Sequence, residues 1–189
     1  MLRVVGPAGI AILVTMSTLS ASAQVKEGQK APDFGQRDLY DDTPKAEEYW
    51  VSDFVGPDPS RGPRKVLLLA FCASHCKPCW EELPELIRLK ETYGKEGLEV
   101  WSVLIDDEVD GREKGKEKLQ SARGKFVTTR VGSQTMPDAY LGKKHELPTL
   151  VLVGADGIIA LVLPPPKSPA DVKKAHARLE EAIRERVAP

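Results

Sequence analysis

Three strand-length stretches of the chain, 65–71, 98–105 and 147–153, are dominated by apolar residues, and 158–163 follows the third across a Gly154-Ala155-Asp156-Gly157 turn. Runs of this length and composition predict strands of a sheet covered on both faces, the last pair as a hairpin. Shorter candidates lie at 37–41 and 47–51, followed by a turn or short helix capped by Ser52 or Asp53, and at 126–131, which alternates. Helical spacing runs from 80 to 93 with Leu83, Leu86, Ile87 and Tyr93 on one side; Pro84 predicts a kink and Gly94 a stop. The segment 111–123 reads as an exposed, charged helix and 134–143 as a short one. After Pro164-Pro165-Pro166, Ser168-Pro169-Ala170-Asp171 reads as an N-cap with proline in the first turn. Val172, His176, Leu179, Ile183 and Val187 then mark one face of a last helix, His176 as a packing residue.

The alternation of strands and helices, closed by a hairpin and a helix, predicts an α/β layer architecture around a central mixed sheet. Phe34 is the expected core anchor at its start. The loop 56–64 carries three prolines and two glycines, and Arg61, Arg64 and Lys65 are expected to be solvated.

The first 23 residues stand apart. Arg3 precedes an apolar stretch of small residues, and Ala21-Ser22-Ala23 has the A-x-A form of a cleavage site. This predicts a signal peptide at 1–23 and a mature domain at 24–189, in the periplasm or another extracytoplasmic space. An uncleaved anchor is the alternative; with cleavage, no membrane span is expected. The 27 Lys and Arg against 28 Asp and Glu give a net charge of −1, which offers nothing to nucleic acid. Three cysteines are too few for a disulfide scaffold.

Two of them form a C-x-x-C between a predicted strand and a predicted helix: Cys76-Lys77-Pro78-Cys79. A helix N-terminus carries partial positive charge and unpaired N–H groups, which stabilise a thiolate. Cys76 is therefore the candidate nucleophile and Cys79 the candidate resolving thiol. Lys77 and His75 are candidates for tuning the pair, with Lys77 as a solvated side chain the plainer reading. Pro78 restricts the loop and starts the helix.

The segment from Phe71 to Cys79, with Pro84 beyond it and Leu147-Pro148-Thr149 farther on, resembles the active-site and cis-proline segments of thioredoxin-like proteins. Ala31-Pro32-Asp33-Phe34 and Val51-Ser52-Asp53-Phe54-Val55-Gly56 resemble the start of the redoxin branch, which includes exported TlpA-like thiol–disulfide oxidoreductases. The resemblance implies a thioredoxin-like fold with N-terminal extension strands. It implies a cis Pro148, with Leu147, Pro148 and Thr149 receiving an extended substrate segment. It further implies protein disulfide or dithiol substrates, an upstream electron donor, no cofactor, and reduction as the favoured direction, in cytochrome c maturation or disulfide repair.

The chain departs from that pattern. Cys72 stands where tryptophan is usual, and Ala70 where thioredoxins proper bury an acid that assists the resolving thiol. Cys72 is read as a small core residue; the alternatives are a third redox thiol or a soft-metal ligand with Cys76, Cys79 and a histidine, in a copper-delivery module. His145 is expected near Pro148. Peroxide reduction in this fold needs proline and Thr or Ser ahead of the cysteine, where this chain has Leu69 and Ala73.

Overall fold

The computed structural model describes residues 24–62 and 64–188. The candidate signal segment 1–23 lies outside the described residues. Seven strands form one mixed sheet: β1 (Gly35–Asp38), β2 (Glu48–Trp50), β3 (Val66–Cys72), β4 (Leu98–Leu104), β5 (Val127–Arg130), β6 (Thr149–Gly154) and β7 (Ile159–Leu163), in the order β2-β1-β5-β4-β3-β6-β7. β3, β4 and β5 run parallel; β6, β7, β1 and β2 are added antiparallel. Every residue of β3, β4 and β6 is buried, as their mostly apolar character predicts, with Glu99, Ser102 and Thr149 as buried polar exceptions, whereas edge strand β7 alternates between buried and half-buried positions.

The helices are α1 (Lys77–Tyr93), α2 (Val109–Leu119), α3 (Thr135–Leu141) and α4 (Pro169–Val187). α1 continues through Pro84, and α4 packs on both α1 and the sheet. The Ser168 hydroxyl caps α4 by accepting the Asp171 N–H at 3.2 Å. Glu99, buried in β4, is neutralised by the Lys90 ammonium at 2.8 Å and the Arg64 guanidinium at 3.3 Å.

Several sequence expectations are corrected here. The first strand is Gly35–Asp38, earlier than 37–41, because the Asp38 carboxylate accepts the Tyr40 N–H at 2.7 Å and turns the chain out of the sheet. Asp53 organises the turn at Val51–Asp53, accepting the Trp50 N–H at 2.8 Å. Phe34 is only half-buried; Leu39 is the fully enclosed residue of this segment. α1 starts at Lys77, three residues before the apolar spacing begins. It ends at Tyr93 with Gly94 as its C-cap, as the sequence predicts, and one further 3-10 turn follows before Gly97 (φ +117°).

Arg61, Arg64 and Lys65 are not free solvated charges. The Arg61 guanidinium lies 4.3 Å from the Tyr49 ring centroid and pairs with Glu47 and Asp53; Arg64 faces Glu99; the Lys65 ammonium donates to the Val187 carbonyl at 2.7 Å. Each tie is a long-range contact that local periodicity does not encode.

Candidate active site

β3 ends at Cys72, and the loop from Ala73 to Cys76 carries the chain to α1. Asp106, just past the end of β4, pins this loop. Its carboxylate accepts the Ser74 N–H and the Ser74 hydroxyl, both at 2.7 Å, while the Trp80 indole N–H donates to the Ser74 carbonyl at 3.3 Å. The Cys76 N–H donates to the Ala73 carbonyl at 2.9 Å. Cys76 is the N-cap residue of α1 and Pro78 sits in its first turn, where no N–H is needed.

Cys76 and Cys79 are joined as a disulfide. The Cys79 N–H is shared between the Cys76 carbonyl at 3.1 Å and the Cys76 sulfur at 3.2 Å, so an amide of the helix start is directed at the sulfur that would carry charge after reduction. Both cysteines are largely buried. Among the tuning candidates, His75 and Pro78 are exposed, and Lys77 faces Glu81 at 3.6 Å with 87% of its side chain exposed. The solvated reading of Lys77 fits this placement.

Antiparallel pairing of Phe71 with Thr149 brings the start of β6 beside the end of β3. The Leu147–Pro148 peptide is cis, and Pro148 shares a small apolar cavity with Cys79. Thr149 is fully buried, its hydroxyl donating to the Glu146 carbonyl at 2.7 Å; Leu147 is half-buried. Thr149 thus shapes the turn from inside, which leaves Leu147 and Pro148 as the nearer candidates for substrate contact. His145, at φ +44°, donates from Nε2 to the Asp138 carboxylate at 2.7 Å and joins His75, Asp106 and Asp107 around an open groove beside Ala73.

Cys72 lines the same small cavity as Cys79 and Pro148 but differs from Cys79 in being held as a thiol. Its thiol lies 3.5 Å from the Ser102 hydroxyl and 3.6 Å from the Val103 carbonyl, and burial pushes its pKa up to about 12. A thiol held protonated is neither a nucleophile nor a ready metal ligand. Among the described residues no group of three or more His, Cys, Asp and Glu side chains is arranged to hold a metal ion.

Sequence reasoning missed Glu82. It lies one helical turn after Cys79, is 8% exposed, and lines the same cavity as Cys79, Ala70 and Pro148. An acid therefore does line this cavity, on the helix side, although position 70 on the strand is alanine. An acidic residue three positions after the second cysteine, on the side of α1 that carries Leu83 and Leu86, was the available signal. His176 is also corrected: its Nε2 stands 2.7 Å from the Glu82 carboxylate, so it faces a charge rather than merely packing.

The AhpC/TSA family model matches residues 27–162. A thiol-disulfide oxidoreductase ResA of Geobacillus kaustophilus (strain HTA426) is 30% identical over 112 residues, covering 59% of this chain and 57% of that one. The ResA of Geobacillus thermodenitrificans (strain NG80-2) is 30% identical over 95 residues, 50% of this chain and 47% of that one. The chain thus spans about half the length of these curated relatives. Among solved structures, a thiol:disulfide interchange protein DsbE from Chlorobium tepidum superposes with a TM-score of 0.65 at 23% identity, covering 85% of this chain and 99% of that one. A thiol:disulfide interchange protein from Bacteroides sp. gives 0.61 at 18%, covering 87% and 92%. The fold is thioredoxin-like, and the chain belongs to the AhpC/TSA family.

Proposed function

We propose that the protein is an extracytoplasmic thiol–disulfide oxidoreductase that exchanges the Cys76/Cys79 dithiol with protein disulfides, working as a reductant. The observation that carries this is the cysteine pair at the N-terminus of α1, beside the cis Pro148. The ResA and DsbE likenesses support the same chemistry. Peroxide reduction draws no support, because Leu69 and Ala73 offer no hydroxyl to orient a peroxide.

In the reductive direction, the Cys76 thiolate attacks one sulfur of a partner disulfide. The partner's S–S bond breaks and its other sulfur leaves with the electron pair, taking up a proton. Cys79 then loses its proton, for which Glu82 is the nearby carboxylate of the cavity, and attacks the Cys76 sulfur. The Cys76–Cys79 disulfide forms and the partner departs as a dithiol; an upstream donor must return two electrons. Leu147 and Pro148 are proposed to receive the partner as an added extended segment. Apocytochrome c is the proposed partner class, with disulfide repair as the rival.

Insulin-disulfide reduction by the mature protein tests this reading: Cys76→Ser is expected to lose at least 99% of the rate, on the order of the hundredfold loss expected when a nucleophile is removed. Activity near wild type would end the claim. Direction is tested by equilibrating the pair with glutathione: a potential near −270 mV fits a reductant, and one near −120 mV an oxidant.

A further inference from the structure

Glu82 needs a partner. A buried carboxylate without one is held in place by nothing and tends to swing out to water, because burial strips it of hydration. The cavity lining around Glu82 otherwise includes Ala70, Cys79, Leu83, Leu86, Pro148 and Leu150. On the side toward α4, Glu82, Pro148 and Leu150 also line a second small cavity, closed by Pro164, Val172, Ala175 and His176. Among the described residues, His176 Nε2 is the polar atom that meets the Glu82 carboxylate, at 2.7 Å. The approach is off the hydrogen-bond line, and neither atom has another hydrogen-bond partner. It is an electrostatic contact of two buried atoms that have each other alone.

We propose that His176 is a positioning residue for the exchange reaction: from α4, it holds the Glu82 carboxylate in the cavity behind Cys79, where it receives the Cys79 proton. This rests on the exchange reading above. Cys79–SH gives its proton to Glu82; the Cys79 sulfur attacks Cys76, the mixed disulfide breaks, and the partner sulfur leaves with the electron pair. Nothing else is consumed.

The other charges facing His176 are already engaged. Glu85 on α1 and Glu180 on α4 are both held by Arg88, at 2.6 and 2.7 Å. The sheet and the β7–α4 loop present Pro148, Leu150, Leu163, Pro164 and Pro166, none of which titrates. The Glu82–His176 contact is therefore the one available to respond at the site.

The test mixes reduced protein with one equivalent of an aromatic disulfide whose thiolate absorbs light. The first release reports Cys76 attack, the second Cys79 resolution. In His176→Ala the first release is expected to keep its rate and the second to slow about tenfold at neutral pH, a modest part of what acid–base catalysis contributes. His176→Gln, which keeps a donor, should recover part of the rate. In a Glu82→Gln background, His176→Ala should add nothing. A second release at the wild-type rate in His176→Ala, or further slowing in the Glu82→Gln background, overturns the proposal while leaving the exchange reading intact. No first release from the wild-type protein overturns both.

Discussion

Cys72 and Cys76 are four residues apart in sequence, yet their sulfurs meet opposite conditions. Cys76 caps a helix and receives an amide N–H; Cys72 sits inside the sheet with Ser102 and Val103 as neighbours. Burial holds Cys72 as a thiol up to about pH 12, so it has no route into exchange at neutral pH. Cys72→Ala is therefore expected to keep the wild-type rate of insulin reduction. It should lose about 1 kcal/mol in a denaturant melt, since a small buried group is removed. Alkylation of the reduced protein should reach Cys72 only after unfolding, read by the mass of the labelled peptide. A variant lacking exchange activity would return Cys72 to the redox site.

Between elements, the junction of α1 with α4 carries both the proposed positioning contact and a charge clamp. Arg88 binds Glu85 and Glu180 together, and Glu180 also accepts the Tyr93 hydroxyl at 2.8 Å. The Arg88 guanidinium, chiefly through hydrogen bonds, holds both carboxyl groups below their usual range. A carboxylate depressed in the folded state stabilises the protein above its unfolded pKa, and that contribution is lost as pH falls through the folded value. The Tm difference between wild type and Arg88→Ala should therefore shrink as pH falls from about 5 to about 2, because the ordinary carboxylate range lies near 4. A difference constant with pH would show the clamp contributes no charge-linked stability. These charges are partly exposed, so raised salt should also weaken the effect.

At the scale of the whole molecule, the site opens where the ends of β3 and β4 meet the start of β6. Asp106, Pro148 and Glu82 arrive there from β4, β6 and α1. No helix among the described residues is long and apolar enough to cross a membrane. If the proposed export holds, protein recovered from the periplasm should begin at Gln24, as read by intact mass. Retention of Met1 to Ala23 in a membrane fraction would favour the anchor instead.

The chain by itself determined the strands that are apolar throughout, because continuous burial leaves an unbroken run in β3 and β6. It also placed the Cys76/Cys79 pair at a helix start and Ser168 at another, because caps and first-turn prolines are local signals. Strand β1, between β2 and β5, starts earlier than its pattern suggests, since Gly35, with the Trp50 indole over it, and the Asp38 turn are set by pairing rather than periodicity. Only the tertiary structure decided what surrounds the dithiol. Glu82 and His176 are 94 positions apart in the numbering and meet because α4 packs on α1. Arg61, Arg64 and Lys65 look like free charge until the folded chain brings Tyr49, Glu99 and the end of α4 to them. Pairings across that distance leave no periodic trace: the energy that selects them exists only once the layers have packed.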